Sequence, residues 1–76
     1  EHTWKASGML DVYQLELELG MLDLIQEDAG YISVAGLILD KAEQPIQIGT
    51  KILYQGVEFE VTELDGNRIK TVKITH

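Results

Sequence analysis

The residues of this chain that come nearest to a metal site are three carboxylates in one short stretch, Asp23, Glu27 and Asp28. A hard divalent cation needs several oxygens converging at about 2.0–2.6 Å. These three could supply a weak set, although a solvated acidic loop explains the same spacing. Glu16 and Glu18 stand two apart on an expected helix and do not face each other. A phosphate-bearing ligand such as an adenine nucleotide would want backbone N–H groups at a helix N-terminus. Gly30, Tyr31, Ser33 and Gly36, around the start of the expected second helix, are the candidates. Glu27 and Asp28 beside them would repel a phosphate, and no GxGxxG occurs. His2 and His76 lie at the two ends with no third imidazole, and there is no Cys, so neither a zinc set nor a thiolate nucleophile can be assembled. Ser7, Ser33 and the threonines show no spacing to a base and an orienting acid. No catalytic residue is expected.

Charge narrows the partners further. Thirteen acidic residues stand against six basic ones, a net charge of -7, and from Asp11 to Asp28 there are six carboxylates and no Lys or Arg. This balance disfavours nucleic acid and an anionic membrane surface. It suits cations or a basic protein surface. No apolar run reaches the roughly 20 residues of a spanning helix, so no direct membrane insertion is expected, and no signal peptide is seen. Residues 1–76 are expected to be a single domain. Because the sequence starts at Glu1 instead of Met, it is expected to be excised from a larger protein.

The elements that must position these residues are clearest from Lys51 to Thr75. Lys51 to Tyr54 reads as a strand, Gln55-Gly56 as a tight turn, and Val57, Phe59 and Val61 alternate with Glu58, Glu60 and Thr62. Gly66-Asn67 closes a hairpin that sets Leu64 opposite Ile69, Val61 opposite Val72 and Phe59 opposite Ile74. The same register places Glu63 opposite Lys70, Glu60 opposite Lys73 and Asp65 opposite Arg68. Upstream, Trp4 to Ser7 reads as a first strand ended by Gly8. Met9 to Leu19 has helical period, with Asp11 as N-cap, Gln14 completing a capping box, and Gly20 as terminator. Leu10, Tyr13 and Leu17 form its expected buried stripe, widened by Val12, Leu15 and Leu19, with Glu16 and Glu18 toward solvent. Met21 to Ile25 is an apolar connector. Ser33 caps a second helix through about Lys41 that buries Val34, Leu37 and Ile38, although the β-branched residues here leave a strand open. Pro45 ends it.

Taken together these features resemble the transporter-associated domain at the C-terminus of CorC and haemolysin-C-like magnesium and cobalt efflux proteins. The resemblance rests on Gly8, Leu10, Asp11, Leu15 and Gly20, then on Tyr31, Ser33, Gly36, Leu37 and Ile38. It continues through Pro45, Gly49, Gly56, Phe59, Val61, Asp65, Gly66, Arg68, Ile69 and Val72. It departs at Ala42-Glu43-Gln44, where a glycine often precedes the proline, and in a proline-free connector. The resemblance implies a domain that follows a membrane region and a CBS pair on the cytoplasmic side of the cell membrane. It also implies a fold like a fragment of PCMH-type FAD-binding domains, so that no cofactor is expected in the isolated domain and FAD is a candidate by fold likeness alone.

The expected fold is α+β: an N-terminal strand and two helices packed on a C-terminal three-stranded antiparallel meander. The expected function is accessory and non-enzymatic, exerted through contacts with the remainder of a parent protein or in a homodimer. Its contact residues would be Trp4, Met21, Leu22 and Leu24. The alternative is a small-ligand module for FAD, an adenine nucleotide or a divalent cation.

Overall fold

A computed structural model describes residues 2–20, 32–43 and 45–76. Strand β1 (Thr3–Ser7) leads to helix α1 (Val12–Leu19), helix α2 (Val34–Lys41) and strands β2 (Lys51–Tyr54), β3 (Val57–Asp65) and β4 (Arg68–Thr75). The strands form one four-stranded antiparallel sheet in the order β1-β4-β3-β2. The expected three-stranded meander is therefore a four-stranded sheet. β1 joins it beside β4 in a register from Thr3↔Thr75 to Ser7↔Thr71. Sequence distance hid that pairing, because the two strands are joined through both helices.

One face of the sheet carries Val57, Phe59, Val61, Ile69, Val72 and Ile74, all buried, and the helices cover it with Val12, Leu15, Val34, Leu37 and Ile38. Trp4, Ala6, Ile52 and Tyr54 flank this core as half-buried residues. Apolar burial on that face is the main favourable term holding the fold.

The long hairpin keeps most of its expected register but not all of it. Val61 and Leu64 are three residues apart, so a regular ladder of period two cannot turn both inward. The structure resolves the conflict with an irregularity between Val61 and Leu64 that sets Glu63 opposite Thr71 instead of Lys70. The Thr62 hydroxyl donates to the Thr71 carbonyl at 3.3 Å within that disturbance. Leu64↔Ile69 and Asp65↔Arg68 then resume. Gly66 turns the chain at φ 62° while Asn67 keeps negative φ, the pattern of a type II′ turn, where a glycine is favoured at the first central position. The expected ion pairs Glu60–Lys73, Glu63–Lys70 and Asp65–Arg68 do not form within 4 Å among the described residues. Lys51–Glu58 at 3.9 Å and Lys41–Asp40 at 3.7 Å do.

Helix α1 corrects a second expectation. Its buried stripe is Val12, Leu15 and Glu16 with half-buried Leu19, spaced i, i+3, i+4, i+7, whereas Tyr13 and Leu17 are 60% and 66% exposed. Glu16, expected in solvent, is 8% exposed. An eight-residue helix with two interleaved apolar stripes leaves its rotation open on pattern alone; the link to α2 described below chooses between them. Asp11 is the N-cap as expected, its carboxylate accepting from the Tyr13 N–H at 2.8 Å, and Gly20 ends the helix in the left-handed region.

Helix α2 forms as the Ser33 cap predicts, not as a strand. The Ser33 hydroxyl accepts from the Gly36 N–H at 3.2 Å. Replacing Ser33 with alanine is expected to cost about 1 kcal/mol, with Ser33→Asn nearly neutral, when urea unfolding midpoints are compared.

Candidate functional site

Among the described residues, functional candidates meet at the junction of the two helix N-termini. After β1 the chain turns at Gly8, whose N–H donates to the Lys70 carbonyl and whose own carbonyl accepts from Ala35. Two residues on, the Leu10 carbonyl accepts from the Val34 N–H, and the Val12 N–H donates to the Ile32 carbonyl, both at 2.9 Å. This pair makes an isolated antiparallel bridge between Asp11 and Ser33, the two capping residues. The helices are thus joined cap to cap, which fixes the rotation of α1.

The bridge decides what the helix start can bind. An anion site there depends on N–H groups with no intrahelical partner. At α2 the Val34 N–H goes to Leu10, the Ala35 N–H to Gly8 and the Gly36 N–H to the Ser33 hydroxyl, and the Leu37 N–H makes the first intrahelical bond to Ser33. Protein acceptors hold the whole first turn. A phosphate could enter only by displacing bonds that also tie α2 to β1 and α1. Ser33 and Gly36, two of the residues expected to cradle a nucleotide, therefore serve as cap and capped residue. Gly30 and Tyr31, the other two, lie outside the described residues.

The remaining candidates disperse. Asp23, Glu27 and Asp28, the possible cation ligands, and Met21, Leu22 and Leu24, the expected contact residues, also lie outside the described residues. Among the described residues no group of three His, Asp or Glu side chains is placed to hold a metal. Trp4 sits half-buried opposite Ile74 and packs against the core.

Sequence reasoning missed one association. His2 and His76, at opposite ends of the chain, exchange backbone hydrogen bonds at 2.9 Å and line an open cleft with Trp4, Glu18 and Leu19. Only the β1–β4 pairing brings them together, and no spacing in the sequence announces it. A second open cleft lies between the end of α2 and β2, lined by Lys41, Pro45, Gln47, Ile48, Lys51 and Leu53. Lys41 there is held by Asp40 and lies 5.3 Å from the centre of the Tyr54 ring.

Comparison with known proteins places this arrangement. The family model CorC_HlyC, described as a transporter associated domain, matches residues 1–76. A "UPF0053 protein" of Buchnera aphidicola is 30% identical over 73 residues, which are 96% of this chain and 14% of that protein. The chain therefore spans about one seventh of the length of that relative. A conserved putative domain from Neisseria meningitidis has a crystal structure with TM-score 0.84 at 35% identity, covering 97% of this chain and 96% of that one. A CorC_HlyC domain of a Xylella fastidiosa hemolysin, described in complex with Mg++ and Mn++, has TM-score 0.80 at 22% identity, covering 97% and 86%. The last likeness is one of fold. Nothing in these relatives' descriptions names a flavin.

Proposed function

Because the chain belongs to the CorC_HlyC transporter-associated domain family, we propose that it is a non-enzymatic accessory domain of a larger protein of the magnesium and cobalt efflux type. It would work through protein–protein contacts, next to a CBS pair and on the cytoplasmic side of the cell membrane. The observation that carries this reading is the match of a family model over residues 1–76 in a chain that accounts for 14% of its curated relative. Among the described residues no helix is long and apolar enough to cross a membrane, so any spanning helix of the parent would come from elsewhere. The contacts are assigned to Trp4 and to Met21, Leu22 and Leu24 of the connector, with homodimerisation as one form they could take.

Deleting residues 1–76 from the parent tests the proposal. The expected result is a protein that still reaches the membrane but whose magnesium or cobalt efflux, or assembly, is altered. Efflux and assembly identical to the intact protein would overturn it.

FAD and adenine nucleotides fit poorly, because the first turn of α2 has no free donors to offer a pyrophosphate. Calorimetric titration of the isolated domain with FAD and ATP is expected to show no saturable heat, and micromolar binding of either would favour the ligand-module reading instead. A weak divalent-cation site is the second reading. The Xylella domain's complex with Mg++ and Mn++ favours it, and Asp23, Glu27 and Asp28 are the residues to replace if Mg²⁺ gives a saturable heat.

A further inference from the structure

Charge is sharply segregated in this fold. β1 and β4 lie side by side, and their thirteen residues include Lys5, Arg68, Lys70 and Lys73 but no carboxylate. Four of the chain's six cations are thus gathered on one two-stranded ribbon, all of them exposed. The rest of the molecule holds all thirteen acids against Lys41 and Lys51, and those two lysines are ion-paired with Asp40 and Glu58. The four cations of the ribbon have no ion pair within 4 Å among the described residues. Carboxylates do stand in register on the next strand, with Glu60 opposite Lys73 and Asp65 opposite Arg68, yet neither pair closes. Arg68 instead directs Nη2 to the Met9 sulfur at 3.9 Å.

Lys5 and Lys73 are direct cross-strand partners, about 5 Å apart at the backbone. Like charges so placed repel and slightly destabilise the free domain. Around them stand hydroxyls, with the Thr3 and Thr75 side chains 3.3 Å apart on one side and Ser7 opposite Thr71 on the other.

We infer that the exposed surface of the β1–β4 ribbon, carried by Lys5, Arg68, Lys70 and Lys73, docks an acidic protein segment. The inference rests on the reading of this domain as a contact module and names the chemistry of its partner. Carboxylates one helical turn apart, about 5.4 Å, match the spacing of Lys5 and Lys73. A second copy of the chain does not fit. Ribbon against ribbon sets four cations against four, which like-charge repulsion disfavours. Nucleic acid is disfavoured because the chain as a whole carries a net charge of -7.

The test is an NMR titration of the domain with poly-L-glutamate at low ionic strength, beside a DNA oligonucleotide at equal charge. The expected result is shifts of the β1 and β4 amides with poly-L-glutamate, lost near 1 M salt, where the Debye length is about 3 Å. Lys5→Gln with Lys73→Gln should weaken binding about tenfold while holding or raising the thermal midpoint, and Lys41→Gln should leave binding unchanged. No shifts on the ribbon, equal affinity in the double variant, or tighter binding of DNA would each overturn the inference. Failure here with an altered efflux phenotype in the deletion experiment would remove this surface and leave the accessory role standing.

Discussion

Replacing Gly8 with alanine is expected to lower the stability of the domain by about 3 kcal/mol, at the upper end of what overpacking costs. A Cβ at this position would run into the Ile69 carbonyl oxygen, with the carbonyl carbon 3.0 Å away and Ile69 Cγ2 3.1 Å away. The obstruction is backbone, so no rotamer change relieves it. Nor can the backbone shift freely, because the Gly8 N–H is bonded to Lys70 and its carbonyl to Ala35. Three elements meet there: the end of β1, the irregular part of β4 and the start of α2. A domain of this size is stable by roughly 4–11 kcal/mol, so the loss is a large fraction of the total. Chemical unfolding of the variant checks it. A midpoint within experimental error of the wild type would show that β1 can lift from β4 at little cost, and with it that the α2 N-terminus is not locked.

What was readable in the sequence follows from how local each determinant is. The Ser33 cap, the Asp11 cap, the two tight turns and the alternation through Val57, Phe59 and Val61 are set within a few residues, and all appear in the structure. Glu63 does not pair with Lys70 because Val61 and Leu64, three residues apart, share a face only through the irregularity between them. The α1 stripe failed for a non-local reason. Its rotation is fixed by the bridge from Asp11 to Ser33, which no periodicity reports. The start of α2 is another case: a capped helix start with nearby glycines looks open in sequence, while the Leu10 and Gly8 carbonyls arriving from across the fold accept its Val34 and Ala35 N–H groups. The basic ribbon was equally hidden. Lys5 is far in sequence from Lys73, and the hairpin pattern sets the C-terminal cations opposite carboxylates that their side chains do not reach.

Phe59→Ala is the second large effect, an expected loss of about 3–5 kcal/mol, or on the order of 20 °C in thermal midpoint for a domain of this length. Phe59 is the largest fully buried side chain among the described residues, near the start of β3, between Ile52 on β2 and Ile74 on β4. Its ring fills the layer between the sheet and the helices, and truncation leaves a cavity that a close-packed interior closes only in part. The informative comparison is Leu53→Ala. Leu53 lies on the neighbouring strand opposite Glu58, is 73% exposed, and belongs to the solvent face. Its replacement should cost no more than about 0.5 kcal/mol. The two residues differ mainly in which side of one sheet they occupy, so the contrast measures the assignment of faces directly. A Leu53→Ala variant as damaged as Phe59→Ala would mean that β2 packs one residue out of register, turning its exposed residues inward.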